Sequence, residues 1–177
     1  MRIVGGTLKG RTLLPFDRIG IRPTSDMARE SIFNILRDKI AGASFLDLFA
    51  GTGAMGIEAL SRGAKAVTLV DSGRESVKLI NKNLEKLKIT DFIKVEFSDA
   101  LRYLALTRET FDVIYIDPPY DSDLGEKSLL SVTRVMADDA IVIYESEKPI
   151  EKDFSGLIKY DERKYGRARL SFFKKGE

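Results

Sequence analysis

The chain reads as an α/β domain: a mostly parallel sheet of about seven strands with helices between them and a terminal antiparallel hairpin. Three observations predict this. Short apolar runs at residues 44–49, 66–70, 92–97, 111–116 and 140–144 alternate with stretches of helical periodicity, the pattern of βα units around a parallel sheet. Acidic residues Asp71, Asp99 and Asp117 stand at or just past the ends of three of these runs. The last two strand-like runs, 157–164 and 168–173, are separated only by Tyr165, Gly166 and Arg167. Parallel strands need a crossover of a dozen residues or more, so this pair is expected to be antiparallel, with one reversed strand near an edge.

In chain order, residues 2–6 and 10–14 are expected to form two short strands joined by residues 7–9. A hairpin of that size is marginal alone and must lean on the main domain or on a partner. Residues 15–21 form a loop, and Arg22-Pro23-Thr24 is a rigid entry to the first helix, with Thr24 or Ser25 as its cap. Ala28, Ile32, Leu36 and Ile40 supply the apolar stripe of that helix. The expected division is a basic hairpin and loop over 1–21 and a main domain over 22–177. Further helices are expected at 53–62, closed by Gly63, at 74–87, at 101–106 and at 124–136.

Composition narrows the chemistry. The 177 residues include no Cys and no His, which removes disulfides, Cys-based zinc sites, His general bases and Ser-His-Asp triads, and no metal site is expected. No run of eighteen apolar residues and no apolar leader are present, so a cytoplasmic location is expected. The formal net charge is only +2, but the two ends of the chain are basic. Arg2, Lys9, Arg11, Arg22, Arg29 and Arg167 are the candidates for gripping the phosphates of a polyanion. Taken singly, each is more ordinary as a surface charge.

The segment Asp47-Leu48-Phe49-Ala50-Gly51-Thr52-Gly53-Ala54-Met55-Gly56 carries the strongest ligand signal. Gly51 to Gly56 fits G-x-G-x-x-G at a strand–helix junction, and Asp71 follows about twenty residues on, placed for ribose hydroxyls. Asp99 is placed for an adenine amine or a ligand ammonium. The expected cofactor-binding set is Asp47, Gly51, Thr52, Gly53, Asp71 and Asp99. The fingerprint alone fits either a nicotinamide dehydrogenase or an adenosylmethionine-dependent methyltransferase. Asp47 favours the second, because a carboxylate beside the glycine turn repels a pyrophosphate and suits a cationic amino-acid end.

Asp117-Pro118-Pro119-Tyr120 follows the fourth strand, where open α/β sheets bind ligands. Two prolines make a stiff segment that presents a carboxylate, at least two unpaired carbonyls and an aromatic face. Those groups suit a flat base with an amine: acceptors take its hydrogens and Tyr120 stacks on the ring. Asp117, Pro118, Pro119 and Tyr120 are therefore the expected catalytic set. Tyr103, Tyr115 and most phenylalanines are assigned to packing.

These motifs, with Arg2-Ile3-Val4-Gly5-Gly6, Lys9-Gly10-Arg11, Arg22-Pro23-Thr24-Ser25-Asp26 and Arg29-Glu30-Ser31-Ile32-Phe33-Asn34, closely resemble the bacterial 16S ribosomal RNA guanine-N2 methyltransferases of the guanine 966 type, over nearly the whole chain. The resemblance implies a Rossmann-like class I fold and S-adenosylmethionine as cofactor. It implies 16S rRNA in the assembled small subunit as substrate, with the hairpin aiding recognition. Thr52 stands where the family commonly has Ser, and Asp71 where Glu is common. A monomer is expected. DNA adenine-N6 methylation and a non-catalytic RNA-binding role remain as alternatives at this point.

Overall fold

The computed structural model describes residues 1–16 and 26–176. Seven strands form one sheet in the order β3-β2-β1-β4-β5-β7-β6. Strands β1 (Ser44–Asp47), β2 (Ala66–Asp71), β3 (Ile93–Phe97), β4 (Phe111–Ile116) and β5 (Met136–Ser146) are parallel. β7 (Ala168–Lys175) runs antiparallel to both β5 and β6 (Leu157–Tyr165), so the final hairpin inserts its second strand inside the first. The reversed strand expected near an edge is therefore β7, one place in.

Side chains of the central strands alternate between two buried cores, as the period of two requires. Phe45, Val113, Tyr115, Ile143 and Phe172 face one core, which α1 (Asp26–Ile35), α3 (Ala54–Ser61) and α4 (Arg74–Leu87) cover with Ile32, Ile57, Ile80 and Leu84. Leu46, Ile114, Ile116, Val142 and Phe173 face the other, under α5 (Ala100–Leu106) and α6 (Leu124–Ser131). A four-residue helix, α2 (Arg37–Ile40), follows α1 and buries Ile40.

Two expectations need correction. The helix expected over 124–136 ends at Ser131 and tightens into a 3₁₀ turn, Val132–Val135. β5 then begins at Met136, because Met136 pairs with Phe111 ahead of a bulge that resets the register to Val113 opposite Ile141.

The N-terminal hairpin holds only one ladder step, Arg2 opposite Thr12, rather than two strands. Ile3 N and Leu13 N still donate across it, to the Arg11 and Met1 carbonyls, but other backbone donors go to α3. The N–H groups of Val4 and Gly5 donate to the Glu58 carboxylate at 2.9 and 2.8 Å, and that of Leu8 donates to Ser61 Oγ at 2.9 Å. Gly6 sits at φ +74 with no room for a side chain, since an added Cβ would overlap the Ser61 carbonyl. The glycines thus serve close approach to a helix, and Ile3 and Leu13 are buried in the first core. The expected loop at 15–21 and the Arg22-Pro23-Thr24-Ser25 entry lie largely outside the described residues.

Candidate active site

The alternation that builds the first core also builds the site. Asp47 pairs in register with Tyr115, and Tyr115 with Ile143. Asp117 and Glu145 each lie two residues further along, which returns them to the same face at the carboxyl ends of the strands. Asp47, Tyr115 and Asp117, with Tyr120, form part of the wall of a cavity of about 430 Å³, within the range of small-molecule sites. Asp47 is 2% exposed and Glu145 3%.

Crowding carboxylates away from water raises their proton affinity. Burial, and then the negative charge of Asp71, pushes the Asp47 carboxyl up to about 8, against the pull of the Phe49 and Gly56 backbone N–H groups. Burial, then Glu145 and Asp47, holds Asp117 well above the usual carboxylate range. The site is an acidic well that favours a cation.

The glycine turn forms the neighbouring wall. Gly51 at φ +55 and Gly53 at φ +80 bend the chain from β1 into α3, and Gly51 and Thr52 line the cavity. Gly53 does not line it; it is the N-cap of α3 and packs toward Leu69. Gly56 lets α3 lie directly on β2, where a Cβ would overlap Leu69. Asp71 braces the turn, accepting from Gly51 N at 2.8 Å and from Gly73 N at 2.7 Å. Asn83, fully buried in α4, donates to the Thr52 carbonyl at 3.1 Å and accepts from Leu14 N at 2.7 Å.

The tetrad closes the cavity on the β4 side. Pro118 is buried beneath α6, where Gly125 leaves space that a Cβ would fill at 2.7 Å from Pro118. Asp117, Pro118, Pro119 and Tyr120 all line the cavity, and Tyr120 is 50% exposed. Of the tetrad's carbonyls, that of Pro119 is taken, accepting from Ser122 N at 3.1 Å and Ser122 Oγ at 2.7 Å. Tyr120 Oη donates to Glu145 Oε1 at 3.5 Å, and Tyr115 Oη donates to Glu145 Oε2. Burial, then the charges of Glu145 and Asp117, raises the Tyr120 phenol, so it stays protonated.

Other expected site residues fall elsewhere. Asp99 is exposed, caps α5 by accepting from the N–H groups of Leu101 and Arg102, and lies outside the cavity wall. Arg29, expected on nucleic acid, is 1% exposed and bonded to Asp26, so it is no surface phosphate contact. Lys9 and Arg11 are exposed but sit at the opposite end of α3 and α4 from the cavity: Leu8 binds Ser61, and Arg11 donates to the Leu87 carbonyl at 3.1 Å. Arg2 is exposed and paired with Asp26 at 3.6 Å. Arg22 lies outside the described residues. Arg167 is exposed in the β6–β7 turn, which the antiparallel register with Ser146 brings to the same rim as the tetrad. Tyr115 packs in the first core as expected and lines the cavity besides, whereas Glu145 was not expected at the site: only the register of β4 with β5 shows that it shares the face of Tyr115 and Asp117.

The chain matches the family model described as Conserved hypothetical protein 95 over residues 1–174. It is 40% identical over 149 residues to ribosomal RNA small subunit methyltransferase D of Escherichia coli K12, covering 83% of this chain and 75% of that protein. It is 36% identical over 153 residues to the protein of that name from Haemophilus influenzae, covering 84% and 79%. The solved structure of YhhF from Escherichia coli superposes with a TM-score of 0.89 at 34% identity, over 99% of this chain and 97% of that one. A likeness this extensive in sequence and in fold settles the family: the chain belongs to the ribosomal RNA small subunit methyltransferase D family and is an S-adenosylmethionine-dependent methyltransferase.

Proposed function

We propose that the chain methylates the exocyclic N2 amine of a guanine, guanine 966, in 16S rRNA of the small ribosomal subunit, acting in the cytoplasm as a monomer. The observation that carries this reading is the tetrad's position: Asp117 and half-exposed Tyr120 stand on the wall of the cavity that the glycine turn also lines. The names of the curated relatives, which specify small-subunit ribosomal RNA, support the substrate class. Residues 1–21 would act as an accessory to the catalytic domain 22–177, and Arg167 is the best placed phosphate contact.

The residues present fit the cofactor. Asp47 Oδ1 is buried without a hydrogen-bond partner beside the glycine turn, and Asp71 accepts from two backbone amides with lone pairs left for ribose hydroxyls. Gly51, Thr52 and Ser72 would line the remainder of its path. When bound, S-adenosylmethionine supplies an electrophilic methyl on a sulfonium. The buried carboxylates would stabilise that positive charge far better than water-exposed ones.

Asp117 would hold one hydrogen of the guanine amine, and the Pro118 carbonyl the other, which favours pyramidal nitrogen and growth of positive charge on it. The high proton affinity of Asp117 suits it to take the proton released after transfer. Tyr120, uncharged and backed by Glu145, would stack on the base and hold it in line. The base must be unpaired or swung out to reach this depth.

The test is transfer of labelled methyl to small-subunit particles, naked 16S RNA and DNA, followed by nucleoside analysis. N2-methylguanosine from particles is expected; label found only as N6-methyladenosine rejects the acceptor assignment.

A further inference from the structure

Among the described residues, four buried side-chain polar atoms have no hydrogen-bond partner: Arg29 Nε, Arg29 Nη1, Asp47 Oδ1 and Ser128 Oγ. Each such orphan forfeits its hydration without a replacement partner, so a native structure keeps few of them without a reason. Three of the four belong to two residues of opposite charge, and both residues form part of the wall of the same cavity. Ser128, in α6, is not part of that wall.

The guanidinium of Arg29 is divided in its work. Its structural hydrogen bonds run through Nη2 alone, to the Arg2 carbonyl at 2.6 Å and to Asp26 Oδ1 at 2.7 Å. Nε is 3.7 Å from Glu58 Oε2, an ion pair too long for a hydrogen bond. Nη1 has neither hydrogen bond nor ion pair among the described residues. No other Lys or Arg is among the described residues lining the cavity, where every other charged side chain is an aspartate.

We propose that Arg29 binds the α-carboxylate at the amino-acid end of the cofactor through Nη1, the nitrogen that neither its hydrogen bonds nor its ion pair with Glu58 engages. An α-amino acid carries its ammonium and its carboxylate on one carbon. A wall that receives it must offer an anionic acceptor and a cationic donor near each other, and Asp47 with Arg29 supplies that pair. The inference rests on the cofactor assignment made above. Arg29 then has two tasks: Nη2 and Nε fasten the N-terminal segment and α3 to α1, and Nη1 reads the ligand.

The experiment compares two ligands by calorimetry: S-adenosylhomocysteine, and its decarboxylated analogue S-adenosylthiopropylamine. Wild-type protein is expected to bind the decarboxylated compound about 10–100-fold more weakly, the range for charge-assisted hydrogen bonds in a buried site. Arg29→Gln should bind S-adenosylhomocysteine more weakly by a similar factor and the decarboxylated analogue within about threefold of wild type, on the same scale. Arg29→Lys should restore part of the discrimination. Equal affinity of wild type for the two ligands overturns the proposal, and this arm needs no variant to fold. Equal weakening of both ligands by Arg29→Gln also overturns it, leaving a purely structural arginine. Failure of S-adenosylhomocysteine to bind wild type overturns the cofactor assignment, and the inference with it.

Discussion

The hydroxyl of Tyr120 reaches the Oε1 atom of Glu145 across 3.5 Å, and the second oxygen of that carboxylate accepts from Tyr115. A half-exposed aromatic ring is thereby tied to a buried acid on the next strand. Glu145→Gln is expected to lower kcat about tenfold while leaving S-adenosylhomocysteine affinity near wild type, since hydrogen bonds to charged groups are worth roughly 1.5–3 kcal/mol. Tyr120→Phe should remove much of the same effect, so the double variant falls short of the product of the singles. Strictly multiplicative losses would show that the contact has no catalytic use.

Asp117 has a raised proton affinity, caused first by burial and then by Glu145 and Asp47. If its carboxylate receives the amine hydrogen, turnover must fall as the group protonates, with an acid limb displaced above the usual carboxylate range. Asp117→Asn should flatten that limb and lower kcat by about 100-fold or more, with cofactor binding little changed. A profile that keeps its limb in the variant assigns the titration to another group.

Burial, then the charge of Asp71, pushes Asp47 up to about 8 in the folded chain, from its ordinary 3.8. The folded protein therefore holds this proton more tightly, and the associated stability, complete below the lower value, is lost as pH rises through the upper one. Without cofactor, wild type should melt at lower temperature near about pH 9 than near about pH 6, and Asp47→Asn should reduce that slope. Asp117 shifts in the same direction and should maintain part of it. Melting curves across this range decide; equal slopes in both proteins would remove Asp47 from the account.

Glu58 is fully buried, and its carboxylate receives Val4 N, Gly5 N and Arg62 Nε at 2.8–2.9 Å, with Arg29 Nε at 3.7 Å. Removing one partner of a buried charged cluster strands the others, at a cost of about 3–5 kcal/mol. Glu58→Gln should show that loss in urea unfolding, and residues 1–16 should become sensitive to limited proteolysis. A loss under about 1 kcal/mol would match a surface pair instead.

Gly125→Ala tests the support beneath the tetrad. Its Cβ would stand 2.7 Å from Pro118 and closer still to Tyr144, so α6 or the proline must move. Overpacking of this kind costs about 1–3 kcal/mol. Turnover should fall further than stability accounts for, measured at a temperature where the variant remains folded.

The parallel core was legible because each buried strand is an apolar run with an acid or a turn after it, and the reversal near the C-terminus followed from connection length alone. The N-terminal hairpin was read less well. Its sequence has strand-like residues, but Val4, Gly5 and Leu8 give their N–H groups to Glu58 and Ser61, partners more than fifty positions away. The α6–β5 boundary was misplaced for a similar reason, since Met136 joins the sheet by pairing with Phe111. Arg29 lies on the buried face of α1 with Ala28, Ile32 and Phe33, and its charge is met there by Asp26, Glu58 and the Arg2 carbonyl, partners that its residue type alone did not announce. Asp117 through Tyr120 were found on local chemistry, whereas Glu145 needed the strand register to bring it to the site's face.

Asp71 already clasps the amides of Gly51 and Gly73 before any nucleoside arrives. Those two protons are therefore built-in reporters. A ribose that draws on the same carboxylate should shift their resonances and slow their exchange with deuterated solvent, so occupancy can be followed in a variant with no turnover at all.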